Sequence, residues 1–399
     1  MTSPKQRRVW TWTALVLAVL VLVIIANQPA QAQTFTVLHN FRGGSDGTNP
    51  YAGLIRDAAG NLYGTTDYGG SSDYGTVFKV DTSGKESVLY SFAGGSSDGR
   101  NPYAVLVRDA AGNLYGTTEL YPTFDYGTVF KVDMSGKETV LHAFTGPPDG
   151  AYPIGGLIRD RNGNLYGTTN GGGDMNCNFP YGCGTVFKVD TSGKETVLYS
   201  FTGSPDGAYP AILTSLLVDK NDTLYGVTGG GGSAVCGCGT LYKLSKSGTE
   251  TVLYSFTGGT TDGCSPYGTL ATDTMGSLYG TTGACGSSNL GVVWKFTARG
   301  IETVLHSFIG GPTDGSDPDG VITDTSGNLY GETVYGGPSG VGTVYELSKK
   351  GKVTLLHRFA GPGGERPVGG LLRDASGNLY GTAYEGGSHG DGTVWKLTP

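Results

Sequence analysis

The heptapeptide "GNLYGTT" occupies residues 60–66 and returns unchanged at 112–118 and 163–169. Its central Leu-Tyr-Gly recurs along the chain at spacings of about 50 residues. Periods of this length are typical of solenoids and propellers, in which each copy is one supersecondary unit. The sequence therefore predicts seven units, marked by Tyr63, Tyr115, Tyr166, Tyr225, Tyr279, Tyr330 and Tyr380.

Each unit contains four short apolar segments separated by Gly, Asp and Pro. In the second unit they are strand a, "YAVLVRD" (103–109), strand b, "NLYGTT" (113–118), strand c, "GTVFKV" (127–132), and strand d, "ETVLHAF" (138–144). The a–b and c–d connections contain Gly where a chain reversal requires a positive φ, and the repeated Asp that opens the a–b turn is expected to stabilise it. Each unit is therefore predicted to be a four-stranded antiparallel meander.

Strand c predicts how the units pack. Val129, Phe130 and Val132 lie on both faces of this strand, whereas a half-exposed strand alternates between apolar and polar residues. Sheets arranged around an axis cover both faces, because each sheet packs between two neighbours. The predicted fold class is all-β, a seven-bladed β-propeller of four-stranded antiparallel blades.

The two ends of the repeat array are complementary. Residues 35–41, "FTVLHNF", form a strand d without its a, b and c, and residues 392–397, "GTVWKL", form a strand c without its d. Pairing of the N-terminal strand d with the C-terminal strand c would close the ring and remove two exposed edges. Residues 33–399 are therefore predicted to form a single propeller domain.

The repeated strings "GNLYGTT", "GTVFKV" and "ETVLYSF", with the connection "GGSSDGRNPYAVL" (94–106), resemble the tandem repeats of the GloVer family, which occurs in Gloeobacter and Verrucomicrobia. The resemblance extends over residues 35–397. It implies a propeller-like repeat protein exported from the bacterial cell, and it supplies no established activity.

The N-terminus has the three parts of a signal peptide. Basic residues at Lys5, Arg7 and Arg8 precede an apolar run from Val9 to Ala26 and a small-x-small pattern that ends at Ala32. Residues 1–32 are predicted to be this signal peptide; an uncleaved N-terminal membrane anchor is the alternative, because the run is nearly long enough to cross a bilayer. In both cases the propeller lies outside the cytoplasm, secreted, extracellular or periplasmic.

The charge of the chain limits its partners. The sequence has 27 Lys and Arg against 34 Asp and Glu, a net charge of −7. All charged residues of the predicted signal peptide are basic, so the rest of the chain is more acidic still. An acidic surface argues against nucleic acid and anionic membrane as partners. A carbohydrate or a cell-surface protein is the expected partner of a monomeric chain.

The cysteines are confined to the third, fourth and fifth units. An even number in an exported protein predicts disulfides. Cys177 and Cys183 share one loop and form the first expected pair; Cys264 and Cys285 lie in neighbouring loops of one face and form the second. Cys236 and Cys238 would then close a very small ring, so exchange with Cys264 or Cys285 stays open. A zinc site is the functional alternative, but no histidine lies near these residues, and no metal site is predicted.

No catalytic residue is predicted. Four of the five histidines share one position of strand d with tyrosines, which indicates a common packing role, and only His389 breaks the pattern. The acidic residues also recur with the repeat, which gives no sign of carboxylates that converge on the axis. An enzyme, a lyase or hydrolase acting on a polysaccharide or small molecule at the axial pocket, is therefore the alternative function.

The predicted ligand site lies on the face of the b–c and d–a loops, where loop length varies most. Asp-Gly recurs in six d–a loops, at Asp46, Asp98, Asp149, Asp206, Asp262 and Asp314. Turn chemistry explains these residues; Ca²⁺ is the alternative, although one carboxylate per loop falls short of the six to eight oxygens that calcium prefers. No cofactor is therefore predicted. Tyrosines beside these loops offer stacking surface for a sugar, so an exported binding or scaffold module is predicted, with a ligand site at Tyr103, Tyr209, Tyr267, Asp98, Asp206 and Asp262.

Overall fold

The structure is a computed structural model that describes residues 33–94, 98–119, 126–210 and 215–398. Its helical segments in these ranges are two short 3-10 turns, Gly44–Asp46 and Gly361–Gly363. Within the described ranges, no helix has the length and apolar character that crossing a membrane requires. The predicted signal peptide, residues 1–32, lies outside the described residues.

Seven four-stranded blades account for nearly all of the strands, and they are numbered here in chain order. Strand a is formed in turn by Ile55–Arg56, Val107–Arg108, Ile158–Arg159, Leu217–Val218, Gly263–Thr272, Gly315–Thr323 and Glu365–Arg373. Strand b is Leu62–Thr66, Leu114–Thr118, Leu165–Thr169, Leu224–Gly230, Leu278–Cys285, Leu329–Gly336 and Leu379–Glu385.

Strand c is Thr76–Val80, Thr128–Val132, Thr185–Val189, Thr240–Leu244, Val292–Phe296, Thr343–Leu347 and Thr393–Thr398. Strand d is Glu86–Ser91, Glu138–Ala143, Glu195–Ser200, Glu250–Ser255, Glu302–Ser307, Val353–Arg358 and, for blade 7, the N-terminal Thr34–Asn40. Three further short strands lie in the loops, where Gly150–Ala151 pairs with Gly171–Gly172 and Ala208–Pro210 pairs with strand b of blade 4.

The predicted ring closure is confirmed. Thr34–Asn40 pairs antiparallel with Thr393–Thr398, so the first strand of the propeller completes the last blade. Each blade has the order a-b-c-d with antiparallel neighbours, as the hairpin connections predicted. The closed ring leaves neither terminal sheet edge unpaired.

Aromatic rings join each blade to the next. Phe41 at the end of the closing strand d packs edge to face on Phe78 of strand c in blade 1, with ring centroids 5.1 Å apart, and both side chains are fully buried. The same contact recurs between Phe92 and Phe130 at 5.1 Å. Gly64 of the repeated heptapeptide provides the space for this packing, because a Cβ there would lie 2.7 Å from the Phe78 ring. Part of the heptapeptide thus serves the core.

The a–b turn confirms the predicted role of its aspartate. In blade 2, the Asp109 carboxylate accepts hydrogen bonds from the Asn113 backbone N–H at 2.9 Å, the Asn113 side-chain amide at 2.8 Å and the Tyr115 hydroxyl at 3.0 Å. One side chain therefore fixes the turn and orients the tyrosine that follows it. The repeated Asp, Asn and Tyr form one hydrogen-bonded unit.

Strand a is shorter than the sequence predicts in the first four blades. The predicted strand 103–109 is reduced to Val107–Arg108. Pro102 has no N–H to donate, and Asn101 before it has a positive φ of 55°. In blades 5 to 7 the same Pro lies inside a longer strand a, which continues past it with a register shift.

Candidate functional site

The aspartates of the d–a loops bind the ends of the d strands. Asp98 accepts a hydrogen bond from the Tyr90 hydroxyl at 2.6 Å, and Asp206 accepts one from the Tyr199 hydroxyl at 2.6 Å. Asp262 accepts the Tyr254 hydroxyl at 2.9 Å and the Thr257 N–H at 2.7 Å. These three candidate ligand residues are buried, and each lies within its own loop.

Histidine replaces tyrosine in the same contact elsewhere. The Nε2 atoms of His39, His142 and His306 lie 3.3, 3.3 and 3.2 Å from carboxylate oxygens of Asp46, Asp149 and Asp314. His357 belongs to the copy whose d–a loop lacks Asp, and its ring stacks on Phe35 at 3.7 Å. The exchange of His and Tyr is thus explained by a shared packing position.

Two of these contacts have the composition of a metal site. His39, Asp46 and Glu86 bring potential ligand atoms within 4.8 Å of one another, as do His142, Asp149 and Glu195. In three other copies, Tyr90, Tyr199 and Tyr254 take the place of His while Asp and Glu remain, so packing accounts for the arrangement. We assign no metal to these groups.

The three expected disulfides are present, Cys177–Cys183, Cys236–Cys238 and Cys264–Cys285, with Cα atoms 5.6, 5.2 and 5.4 Å apart. The exchange between the second and third pairs is not observed. These two pairs are nevertheless neighbours, because a Cβ at Gly258 would contact sulfur atoms of Cys238 and Cys285. The bonds brace the loop face of blades 3 to 5.

A cavity of about 540 Å³ lies where the loops of several blades converge on the axis. Two of the three predicted tyrosines, Tyr209 and Tyr267, line it directly. Tyr103 packs on Tyr51 of the lining, with ring centroids 4.4 Å apart, and Tyr51 contacts Tyr384 at 5.3 Å. The lining consists of Tyr51, Asn170, Tyr209, Gly229, Ser265, Pro266, Tyr267, Asp317, Asp319, Val334, Tyr335, Arg366, Val368 and Tyr384.

One strained backbone position supplies four of these side chains. The residue before the axial proline has a positive φ, between 54° and 59°, in every copy, namely Asn49, Asn101, Tyr152, Tyr209, Ser265, Asp317 and Arg366. A residue before proline normally avoids this region, and such a conformation costs on the order of 1–3 kcal/mol. The ring therefore imposes one conformation and presents a different side chain from each blade.

Two buried carboxyl groups lie in this region: Asp319 lines the cavity, whereas Glu332 is fully buried outside the lining. Asp319 accepts the Gly369 N–H at 2.7 Å, and Glu332 accepts the Gly370 N–H at 3.0 Å, so consecutive amides of blade 7 hold the two side by side. Burial and the charge of Asp317 raise the pKa of Asp319 to about 6. Burial and the charge of Asp319 raise the pKa of Glu332 well above its ordinary value.

Further polar groups surround these carboxylates. The Tyr267 hydroxyl donates a hydrogen bond of 2.6 Å to Asp317, whose pKa is raised by burial. Arg366 lies over the Tyr335 ring at 5.6 Å and forms an ion pair of 2.8 Å with Glu385. The wall of the cavity thus combines tyrosine rings with hydrogen-bonding groups of both charges.

Two more acidic residues lie at the ends of strand b in the first two blades. Burial raises the pKa of Asp67 and of Glu119 to about 7, and the charge of Glu119 adds to the effect at Asp67. Asp67 also raises the pKa of Tyr51 and Tyr103, so it belongs to the same axial region. His389 does not line the cavity, since it is exposed in a loop beside Ser388.

The acidic residues of the axis correct the expectation that acidic residues only follow the repeat. Glu332 occupies the position of Thr65 in the repeated heptapeptide, and Asp319 follows the axial proline where blades 1, 2 and 5 have Tyr51, Tyr103 and Tyr267. Comparison of the seven copies at each position shows these departures in the sequence itself. Each departure is a single residue in one blade, so the pattern that the seven copies share does not predict it.

Comparisons with known proteins agree with this fold. Two solved structures of an extracellular sensor domain from B. thetaiotaomicron, described as part of a one-component and of a hybrid two-component system, superpose with TM-scores of 0.55 and 0.57 at 10% and 11% identity. They match 91% of this chain, which spans about two fifths of their length, 40% and 39%. The gluconolactonase XC5397 from Xanthomonas campestris superposes less well, with a TM-score of 0.42 at 16% identity over 90% of this chain and 98% of its own, and supports no argument.

The family is established by sequence. No curated protein matches the chain. A family model described as the Gloeobacter/Verrucomicrobia repeat matches residues 24–238, 178–318 and 235–399, which together include the whole propeller. The chain therefore belongs to the Gloeobacter/Verrucomicrobia repeat family.

Proposed function

We propose that this propeller is an exported binding module that recognises carbohydrate in its axial cavity. The observation that carries the proposal is the cavity wall, in which tyrosine rings from several blades surround a volume of about 540 Å³ together with a few polar side chains. Small-molecule sites commonly have volumes of about 300–1,000 Å³ and this mixture of aromatic and polar groups. The cavity has both properties.

The chemistry of the wall suits a sugar. Tyrosine presents a flat apolar face and a polar edge, and Tyr51, Tyr209 and Tyr384 offer such faces around the cavity. Asn170 and Arg366 supply hydrogen-bond donors, and the carboxylate of Asp317 supplies an acceptor for hydroxyl groups. A saccharide offers apolar C–H faces and a rim of hydroxyls, which is the complementary arrangement.

Export is the second part of the proposal. Three disulfides are typical of a protein that matures in an oxidising compartment. The sensor domains with the same fold are extracellular. The basic and apolar N-terminal segment supports a signal peptide over residues 1–32. A secreted or periplasmic binding module is consistent with all three observations.

The test is a glycan-array screen of the purified protein, followed by calorimetric titration of any glycan that binds. Tyr209→Ala and Tyr51→Ala are expected to weaken binding at least about tenfold, which corresponds to about 1.4 kcal/mol. Tyr181→Ala is the matched control, because Tyr181 is an exposed tyrosine outside the cavity. Absence of glycan binding, or binding that the cavity variants leave intact, would overturn the proposal.

A second candidate function is an enzyme that acts on a polysaccharide or small molecule in the same cavity. It is favoured by the raised pKa values of Asp319 and Glu332, since general acids are carboxyls held protonated by burial and by neighbouring charge. Incubation with a polysaccharide panel would reveal new reducing ends or unsaturated products. Turnover that Asp319→Asn abolishes is expected for the enzyme, and no turnover of any substrate would favour the binding module.

A further inference from the structure

Behind the lining of the axial cavity, Glu332 provides a buried carboxylate that the packing of the ring does not require. Thr281 occupies the corresponding position in blade 5, where its hydroxyl accepts the Gly320 N–H of the next blade at 2.8 Å. Glu332 makes the same contact between blades when it accepts the Gly370 N–H at 3.0 Å. Blade 4 has Val227 at this position, so a hydroxyl or even an apolar side chain suffices for packing.

The additional oxygen of Glu332 has no partner. Its Oε2 atom is buried and receives no hydrogen bond, and the same holds for Oδ1 of Asp319. The two residues are 0% and 1% exposed. A buried polar group left unsatisfied costs about 1–3 kcal/mol, and more if it is charged. Because Asp319 lines the cavity, its free oxygen is available to a ligand that donates a hydrogen bond.

The described surroundings do not supply that partner. Among the described residues that line the cavity, Arg366 is the one cation, and its guanidinium already binds Glu385 at 2.8 Å. Asp317 lies at the same wall and accepts its hydrogen bond from a neutral tyrosine. The ionised carboxylate of Asp319 therefore has no cationic partner among the described residues of the lining, and a ligand can supply one.

We propose that this end of the cavity binds the ammonium group of an amine-bearing saccharide, with Asp319 as its first partner and Glu332 behind it as the second. The inference rests on the proposed function and names the class of sugar. The tyrosine rings around the cavity serve both parts of such a ligand, because their faces pack against the sugar ring and attract a neighbouring cation.

An ammonium group fits the donor set better than a metal ion does. Calcium prefers six to eight oxygen ligands, whereas two carboxylate oxygens are unpartnered here. The cavity lining contains no His or Cys among its described residues, which disfavours zinc. An ammonium group has three N–H donors, so the free oxygen of Asp319 together with carboxylate and hydroxyl groups of the lining, such as those of Asp317 and Ser265, would satisfy it.

The experiment compares a glucosamine oligosaccharide with the N-acetylglucosamine oligosaccharide of the same length, by calorimetric titration at about pH 6.5, where the carboxylate of Asp319 is largely ionised. The two ligands differ in the charge of the amine and in the acetyl group. The expected result is at least about tenfold tighter binding of the free amine, a difference of about 1.4 kcal/mol.

Glu332→Thr is the decisive variant, because it restores the residue that five of the other six copies carry. It is expected to fold normally and to reduce the preference for the amine at least threefold. Asp319→Asn, which retains the shape of the side chain, is expected to abolish the preference. Glu346→Gln, in strand c of the same blade and outside the cavity lining, is the matched control.

The outcomes separate this inference from the proposed function. If no glycan binds, the proposed function fails. If both oligosaccharides bind equally well, or if Asp319→Asn retains the amine preference, the ammonium site is refuted while carbohydrate binding stands. A titration with Ca²⁺ and with chelator forms the third arm, and binding that requires Ca²⁺ and is lost in Asp319→Asn would assign the carboxylates to a metal instead.

Discussion

Replacement of Glu302 by Gln is expected to stabilise the propeller at pH 8 and to change its stability little at pH 5. Glu302 begins strand d of blade 5 and lies near Asp262, in the loop that joins blades 4 and 5. Asp262 already accepts hydrogen bonds from Tyr254 and Thr257, whereas one oxygen of Glu302 is buried without a partner. The charge of Asp262 therefore opposes the ionisation of Glu302.

The size and sign of the effect follow from the pKa. Burial and the charge of Asp262 raise the pKa of Glu302 from 4.5 to about 7. The folded chain thus binds this proton more tightly than the unfolded chain, so the stabilisation is complete below about pH 4.5 and is lost as the pH rises through 7. A pKa shift of one unit corresponds to about 1.36 kcal/mol. Solvent screening of this half-buried carboxyl reduces the total to about 1 kcal/mol.

The contact between a glutamate of strand d and a loop aspartate recurs in other blades, so several Glu→Gln substitutions can be combined to increase the gain in stability. Burial and a neighbouring aspartate raise the pKa of Glu138, Glu195 and Glu250 to about 7, and that of Glu86 to about 8. Each lies between a different pair of blades, so the contributions are expected to add. With all five glutamates replaced by Gln, the gain at pH 8 is expected to approach about 5 kcal/mol.

Urea unfolding at pH 5 and pH 8 measures this prediction, with the midpoint as the readout and the slope as a check that the unfolding mechanism is unchanged. The urea concentration at the wild-type midpoint is expected to be lower at pH 8 than at pH 5. In the variant with all five substitutions, most of this decrease is expected to disappear. Glu346→Gln serves as the control outside these contacts. If the midpoint of the variant with all five substitutions decreases as much as that of the wild type, the glutamates are not the groups that titrate.

Three further predictions concern the turns, the disulfides and the ring closure. Asp109→Ala removes three hydrogen bonds and is expected to lower the free energy of unfolding by about 2 kcal/mol. Hydrogen bonds to Asp109 lower its pKa despite burial. The difference in stability between wild type and variant should therefore vanish as the pH falls through this lowered pKa. Replacement of Cys264 and Cys285 by Ser opens a link with a sequence separation of 21 and is expected to cost about 3 kcal/mol, measured by thermal unfolding; an equal melting temperature would argue against the bond. Deletion of residues 33–41 removes the closing strand and is expected to abolish cooperative unfolding in calorimetry, whereas a cooperative transition at the wild-type temperature would show that blade 7 closes without it.

The fold was predictable because its determinants repeat. Every blade needs the same turn aspartate, the same tyrosine and the same glycine opposite an aromatic ring, so each requirement appears seven times or nearly so. The ring closure was equally predictable, since the incomplete units at the two ends match as Thr34–Asn40 and Thr393–Thr398. The length of strand a was not, because it differs between blades 1 to 4 and blades 5 to 7 although all seven share the proline and the positive φ before it.

The site was only partly predictable, for a related reason. Loop variation predicts the face on which Tyr209 and Tyr267 lie, and both line the cavity. Asp98, Asp206 and Asp262 were chosen on the same grounds, yet hydrogen bonds within their loops occupy them. A repeated residue meets the same local partner in each copy, and this partner is visible only once strand d and the loop are placed together.

The seven copies provide an internal comparison that separates packing from function. At the position equivalent to Glu332, blade 5 has Thr281 and blade 4 has Val227. The ring therefore tolerates a hydroxyl or an apolar side chain there and does not need a carboxylate. Packing cannot then explain why blade 6 buries a carboxylate there, with an unpartnered oxygen and within the electrostatic influence of Asp319. Burial of these two carboxylates away from water opposes folding. A cationic ligand in the cavity would offset this unfavourable free energy. The departure of one blade from the repeat is therefore better explained by what the cavity binds than by how the ring is built.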